Sequence, residues 1–500
     1  MSTTNWLMKA KDADLRIRNF MDGRYSEDKL AGDLINKYSS RDGKLLYQFG
    51  SGEVADVDRA VANAKAALDV GCWSRLPVSQ RKKVLFELAD LLKAHREELA
   101  LYECLDVGKP INSALNVDIP GAADAIRSAA EGADKLFSEA YSDGAGPNLA
   151  YQVRKPVGVV GAIVGWNFPL NLAATKLGPA LAMGNSVVLK PSEFSSLSAS
   201  RLAALAIEAG VPPGVLNVVH GAGATVGVAL AQHKDVDLLT FTGSSATGKQ
   251  IMIAAGQSNM KRVMLECGGK SPYIVFDDCP EDLDVVAANV VGTVFQNQGE
   301  VCSAGTRLLI QDSIKDQLMP KIIEQAKAMV AGDPLDSSST YGAMINEAHM
   351  EKVLGYIESG VAEGANLVLG GKRVREESGG FYIEPTIFDE VDPKQKIAQE
   401  EIFGPVLSVL TFQDEDEAIR LANDSCFGLA AYVATTNLAR SQRLGQRLSS
   451  GSIVVLSTST PQGGGVAPGF ESHKQSGFGV ESKLSGLASY TLTSTMFVMA

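Results

Sequence analysis

Three side chains in this sequence are of types that could make and release a covalent intermediate. Cys302 lies in "VFQNQGEVCSAGTRLL", Val294–Leu309, where an apolar run gives way to small residues. A free thiol titrates near about 8.5, so a nucleophilic cysteine needs activation by a neighbour or a local positive field. Glu266 lies in "LECGGKSP", Leu265–Pro272, among apolar and small residues. Desolvation there would raise its pKa, which suits a general base. Asn167 lies in "GAIVGWNFPLNL", Gly161–Leu172. Pro169 disfavours helix at Phe168, so a turn opens and Asn167 projects an amide donor at the carboxyl end of a strand, where ligands bind in open α/β sheets. Taken singly, each has a plainer reading. A lone cysteine is more often packing, and a turn asparagine often satisfies turn backbone.

Two further stretches suit a nucleotide. "GNSVVLKPSE", Gly184–Glu193, ends a buried strand in Lys190 and Glu193, a cation and a carboxylate fit for ribose hydroxyls. "FTGSSATGKQI", Phe241–Ile251, follows a strand and opens a helix, whose free N–H groups favour a phosphate. It carries only Gly243 and Gly248 and is not the GxGxxG fingerprint. A solvated strand end and an ordinary strand–helix turn remain open for these two.

The elements that must position these residues follow from periodicity. Val54 to Asp106 repeats apolar residues at three- and four-residue spacing and reads as helical. From Tyr151, short β-branched runs alternate with helical stretches. "VGVVGAIV", "SVVLKP", "VLNVVHG" and "LLTFTG" form one set; "YIVFDD", "VLSVLTF", "LAAYVAT" and "GSIVVL" form a second. Such alternation implies βαβ units and two mainly parallel α/β arrays with a cleft between them. The tail "LASYTLTSTMFVMA" reads as one exposed apolar strand that pairs with another subunit or with its own sheet.

Composition removes several classes. The chain has 500 residues, enough for two or three domains, with 45% hydrophobic and 21% charged residues. A formal charge of −12 and the lack of Lys/Arg blocks argue against nucleic acid. No apolar run approaches the ~20 residues that span a bilayer. The N-terminus does not read as a signal peptide. Six cysteines without a CxxC pair suit a reducing compartment, so a cytoplasmic location is expected, and no metal site.

Gly165-Trp166-Asn167-Phe168-Pro169, "KPSE", "FTGS", "LECGGKSP", "NQGEVCSAG" and "EEIFGPV" occur in that order. Together they resemble the NAD(P)-dependent aldehyde dehydrogenase superfamily from about Val54 to Gly479. The texture, including "DIPGAADAIR" and "SNMKRVMLECGGKS", is similar to the bacterial branch acting on γ-glutamylamino- and guanidino-butyraldehydes. The resemblance implies an α/β fold: a Rossmann-like cofactor domain, an α/β catalytic domain and a small β oligomerisation segment. The expected division is 1–123 and 147–266 for NAD binding, 267–478 for catalysis, and 124–146 and 479–500 for assembly as a homodimer or homotetramer. Cys302 would attack a small-molecule aldehyde to give a thiohemiacetal. Asn167 and the Cys302 N–H would hold the oxyanion. Hydride would pass to the nicotinamide, and Glu266 would activate water to release the acid. Lys190 and Glu193 would hold the adenosine ribose, Ser244 would approach the pyrophosphate, and Glu401 and Phe403 would place the nicotinamide ribose and ring. Trp166 and Gly268 complete the cofactor set. Glu481 matches a proton-relay carboxylate, although Val480 replaces the usual arginine before it. Glu193 would repel a 2′-phosphate, so NAD is expected over NADP.

The substrate side departs from the family's pattern. Leu456 stands at a common Asn position, Glu471-Ser472-His473 precede Lys474 in place of Gly-Gly-Tyr, and Thr175 replaces a pocket Trp. Phe168, Leu172, Phe295 and Phe470 remain as apolar wall candidates beside Thr175. Lost indole volume and the small residues of Ser457–Gly469 suggest a bulky apolar or aromatic aldehyde; an aminoaldehyde is the alternative. His473 reads as a surface residue of that loop or a polar group of the pocket. Three rivals compete: a CoA-acylating relative, disfavoured by Glu266; a cysteine hydrolase, which wants a histidine partner; and a non-catalytic nucleotide-binding protein.

Overall fold

A computed structural model describes residues 5–26, 32–142, 148–459, 470–481 and 483–499, with the side chain of Phe470 outside that set. Two α/β layers form as the alternation implies. In the first, parallel strands run in the order Leu216–Val218, Ser186–Lys190, Val159–Ile163, Leu238–Thr242, Arg262–Glu266. Every residue of Val159–Ile163 and Ser186–Lys190 is buried, because helices cover both faces of the sheet. One face carries Pro169–Ala182 and Leu197–Ala209, the other Val54–Val70 and Ser245–Ser258. The strand order reverses at Val159–Ile163, so a crevice opens beyond the carboxyl ends of that strand and Leu238–Thr242.

The second sheet runs Asn366–Leu369, Thr386–Asp389, Val406–Phe412, Arg307–Gln311, Pro272–Val275, Ala430–Ala434, Ser452–Leu456. Only its first strand is antiparallel. The chain crosses from one sheet to the other between Glu266 and Pro272, through Gly268 and Gly269. It then returns: Gly477–Phe478 pairs antiparallel with Leu265 and Glu266 at the edge of the first sheet. A Cβ on Gly477 would lie 1.9 Å from the Leu265 carbonyl oxygen, so this approach requires glycine. Residues 477–478, read from sequence as part of the second array, thus extend the first sheet.

The tail differs from the single strand expected. Lys483–Ser489 is helical, and only Thr491–Val498 is extended, paired antiparallel with Leu149–Pro156 inside the same chain. The segment 124–146 also divides. Residues up to 132 belong to helix Ile119–Gly132, whose Ile126 and Ala130 are fully buried against the first core; Ala140–Tyr141 joins the tail sheet. Among the described residues no helix is long and apolar enough to cross a membrane.

Candidate active site

Trp166 and Asn167 follow the strand Val159–Ile163 at the point of reversal. With Lys190, Glu193, Ser244, Gly268, Cys302, Glu401, Phe403, Phe168 and Leu172 they line one cavity of about 400 Å³. These residues come from both sheets and are scattered from 166 to 403 in sequence. A second cleft of about 570 Å³ continues between Gly223–Ala231 and Ala246–Gln257 and shares Ile163, Gly223, Phe241 and Thr247 with the first. The stretch Phe241–Ile251 marked one wall of this cleft in the sequence; the facing wall, Gly223–Ala231, carried no signal.

Cys302 sits after a strained turn. Helix Leu283–Phe295 ends, and Asn297, Gln298 and Gly299 take φ of 49°, 58° and 74°. Two consecutive non-glycine residues in the left-handed region cost roughly 1–2 kcal/mol each, so the surroundings must hold them. Gln298 does this with both ends of its amide, donating to Ala343 O and accepting from Gly342 N, each at 3.1 Å. Asn297 donates to Asn167 O and Glu300 O at 3.2 and 3.3 Å. Asn167 Nδ2 donates to Glu300 O at 2.9 Å. The amide of Asn167 is thereby tied to the loop that carries Cys302. Glu300 is fully buried, accepts from Ile345 N at 2.9 Å and is pushed well above the carboxylate range by burial. Glycine at 269 has a reason too, since a Cβ would lie 2.2 Å from Cys302 O. Burial, with the Glu401 and Glu266 carboxylates, pushes the Cys302 thiol up to about 12.

Glu266 is the last residue of its strand and stands behind this cavity rather than in its wall. Its Oε2 accepts from Ser472 Oγ at 2.6 Å, and its Oε1 is buried without a hydrogen-bond partner. Burial and the Glu481 carboxylate push its pKa up to about 8, against the pull of Ser472 and Lys176. Glu481 is held without the missing arginine: Lys176 Nζ lies 2.5 Å from its Oε1, and Thr240 Oγ1 donates to the same atom. Ser472, Lys176 and Thr240 were not singled out from sequence. The departure at 471–473 gave the one hint of Ser472.

On the cofactor side, Lys190 Nζ donates to Glu193 Oε2 at 2.9 Å, and Gly223 N to Glu193 Oε1 at 3.2 Å. Ser244 caps the helix Ser245–Ser258 by accepting from Thr247 N. Glu401 accepts from Gly269 N at 2.9 Å, and a Cβ on Gly268 would meet its Oε2 at 2.2 Å. Phe403 has φ 59° and stands edge-on to Trp166, ring centroids 5.3 Å apart. His349 lines the same cavity and donates from Nε2 to Phe403 O at 2.7 Å. Burial holds it neutral, down at about 4. His349 was not singled out from sequence.

The expected substrate wall needs correction. Phe295 is fully buried with Tyr273, Val290 and Leu308, since it continues the core face of its helix before the chain turns away. Thr175 does not face Cys302. Phe168 and Leu172 share one side of the chain segment leading into and along helix Pro169–Ala182, while Asn171, Thr175 and Pro179 line a separate cavity of about 260 Å³ with Asp124, Ser128 and Lys483. Leu456 closes a core strand. His473 is exposed and pairs with Gly428, in line with the surface reading. Residues 460–469 of the Ser457–Gly469 loop and the Phe470 side chain lie outside the described residues.

A crevice at the reversal point of a doubly wound sheet, with a cysteine loop from a second sheet closing on it, is the architecture of a two-domain nucleotide-dependent enzyme. Residues 27–496 match the model of the aldehyde dehydrogenase family, and the chain belongs to that family. The NADP/NAD-dependent aldehyde dehydrogenase PuuC of Escherichia coli (strain K12) is 46% identical over 493 residues, 99% of this chain and 98% of that protein. The P. syringae indole-3-acetaldehyde dehydrogenase AldA, a cysteine-to-alanine mutant in complex with NAD+ and IAA, is 48% identical with a TM-score of 0.95, covering 99% of both chains. The γ-glutamyl-γ-aminobutyraldehyde dehydrogenase of Burkholderia cenocepacia J2315 is 48% identical with a TM-score of 0.94, covering 99% of this chain and 98% of that one.

Proposed function

We propose that this aldehyde dehydrogenase oxidises an aminoaldehyde to its acid with NAD, through a covalent intermediate on Cys302. The observation that carries this is the single cavity in which Asn167, Cys302, Glu401 and the Lys190–Glu193 pair meet. The residues present fit a dinucleotide. Lys190 and Glu193 suit a ribose, the fourteen-residue helix capped by Ser244 offers N–H groups to a pyrophosphate, and the second cleft gives a base room. Trp166 and Phe403 wall the nicotinamide end, beside Glu401 and the bare backbone of Gly268. When bound, the nicotinamide supplies the hydride acceptor.

The protein's own part runs as follows. The Cys302 sulfur gives its proton to water and bonds to the aldehyde carbon. The amide of Asn167 and the backbone N–H of Cys302 hold the resulting oxygen. Loss of hydride from that carbon leaves a thioester on Cys302. Glu266 Oε1 then takes a proton from water, the water oxygen attacks the thioester carbon, and the acid leaves as the sulfur departs. The presence of Glu266, whose buried Oε1 has no hydrogen-bond partner, favours water over CoA as acyl acceptor. The His349 Nε2–H engaged on Phe403 O gives no support to a cysteine–histidine hydrolase.

The substrate reading moves from a bulky apolar aldehyde to an aminoaldehyde. Thr175 lines a separate cavity, so the lost indole leaves the Cys302 cavity no wider and removes the ground for a bulky substrate. The likeness to the Burkholderia enzyme supports the same class, while the likeness to the indole-3-acetaldehyde enzyme keeps an aromatic aldehyde as the comparison substrate. Six free cysteines accord with a cytoplasmic location. Assembly as a homodimer or homotetramer is supported by the tail strand, which exposes Met496 and Phe497. NADH formation with γ-glutamylaminobutyraldehyde and indole-3-acetaldehyde, with both cofactors and with added CoA, tests the reading. A higher kcat/KM for the aminoaldehyde with NAD is expected, and loss of all turnover in Cys302→Ala. Faster turnover of the indole substrate returns the apolar reading, and CoA-dependent product overturns hydrolysis.

A further inference from the structure

The turn that carries Asn167 is fixed by a residue from elsewhere. Helix Pro169–Ala182 has no side-chain cap of its own: Phe168 stands at its N-cap position and offers none. Pro169 has no N–H to satisfy. The first free donor, Leu170 N, gives its hydrogen bond to Glu103 Oε1 at 3.0 Å. Glu103 comes from another helix, Arg96–Val107, and is fully buried. The same oxygen accepts from Ser198 Oγ at 2.5 Å. Lys109, also buried, lies 4.0 Å from Glu103 Oε2, is paired with Asp118, and holds its ammonium 4.2 Å from the centre of the Phe168 ring. Phe168 lines the Cys302 cavity. One turn further along, Asp106 does the parallel service for the next helix, accepting from Leu197 N at 3.0 Å.

A carboxylate at a helix N-terminus is ordinarily supplied locally. Here one helix supplies two, each at the start of a helix that follows a site loop: Gly165–Phe168 before one, Lys190–Ser196 before the other. We propose that Glu103 is a positioning residue for the oxyanion donor: by capping the helix at Leu170 it sets where Asn167 and Phe168 stand relative to Cys302. This rests on the reading of Asn167 and Cys302 given above.

Two substitutions separate this role from that of a charge partner for Lys109. Glu103→Gln keeps an acceptor at full reach for Leu170 N but removes the charge. Glu103→Asp keeps the charge but withdraws the acceptor by one methylene. The readout is the pre-steady-state rate of NADH formation in the full enzyme, with NAD affinity and thermal midpoint measured beside it. Positioning predicts that Glu103→Gln stays within about threefold of the parent. It predicts that Glu103→Asp slows hydride transfer about tenfold or more, as misplaced reacting groups do, with NAD affinity unchanged. In an Asn167→Ala background, Glu103→Asp should then cost little more. The reverse order, with the Gln variant much slower than the Asp variant, overturns the proposal. So does a Glu103→Asp effect that persists in full without Asn167, or a parallel loss of NAD affinity. If Glu103→Asp does not fold, a soluble Glu103→Gln slowed about tenfold is enough to overturn it. No effect of Asn167→Ala itself would overturn the reading of Asn167 and this proposal with it, whereas a normal Asn167→Ala loss with an additive Glu103→Asp loss overturns this proposal alone.

Discussion

Two glutamates, one in the wall of the cavity and one behind it, show how one side-chain type is given two jobs. Both are largely buried, and for both burial is the largest influence, raising the pKa. At Glu193 the Lys190 ammonium and the Gly223 N–H more than offset that burial, and the carboxyl stays below its ordinary value. At Glu266 the largest charge influence is another carboxylate, Glu481, which adds to burial and takes the group up to about 8. The Lys176 ammonium bonds directly to Glu481 and reaches Glu266 only as a weaker influence. One glutamate is therefore a fixed anion with both oxygens engaged, suited to binding. The other is poised near neutrality with one oxygen free, suited to moving a proton. The nearest cation, not depth of burial, decides between them.

That contrast can be broken from either end. The largest expected effect is at the proton-moving end. Glu266→Gln should cut steady-state turnover about 10³-fold while leaving one NADH per active site in a burst, as thioester accumulates. An intact steady state would remove Glu266 from deacylation. Asn167→Ala should slow the burst itself about 10²-fold, seen by stopped flow; an unchanged burst would show that the Cys302 N–H suffices. At the binding end, Glu193→Gln should raise kcat/KM for NADP. A full charge pair at 4 Å is worth up to about 4 kcal/mol, but Lys190 already neutralises much of Glu193, so a gain of about tenfold is expected. No gain would mean that Glu193 does not face the 2′ position. The smallest effect is a displaced pH profile. Turnover limited by deacylation needs ionised Glu266, so it should rise with pH through about 8. Removing the anion in Glu481→Gln should move that limb to lower pH, and removing the hydroxyl in Ser472→Ala should move it higher. The opposite signs would refute the charge assignment. The same raised pKa means that this site favours the folded state most below about 4.5 and loses that contribution as pH climbs through about 8.

The two ends also differed in how far they could be read in advance. Lys190, Glu193 and Asn167 lie at or just beyond strand ends, where β-branched runs stop and a chemical residue follows, so their stretches were visible as local patterns; Ser244, a helix N-cap, was named only through the family resemblance. Cys302 was visible through its small neighbours, although the left-handed run at Asn297–Gly299 was not. Ser472, Lys176, Thr240 and His349 left almost no local trace. Lys176 lies mid-helix and Thr240 mid-strand, positions that read as ordinary core. Phe295 and Thr175 failed for a related reason. Phe295 was expected in a pocket wall for its apolar ring and Thr175 for standing where the family has a pocket Trp, but helical phase turned one into the core of the second sheet and the other onto a neighbouring face.

By itself, the sequence determined the two alternating arrays and the order of the strand-end motifs, because backbone preference and hydrophobic period act over a few residues; the roles expected of Cys302, Glu266 and Asn167 came from the family resemblance of those motifs taken together. The tertiary structure alone decided what surrounds each of them. It brought Gly477 against Leu265 so that Ser472 could reach Glu266, and set Lys176 between Thr240 and Glu481. It also carried Glu103 to the helix that begins beside Asn167. These are contacts between residues far apart in the chain, made where desolvation makes each neighbouring charge count. A pKa, a cap or a pocket wall depends on such neighbours, and they exist only once the two sheets have closed on each other.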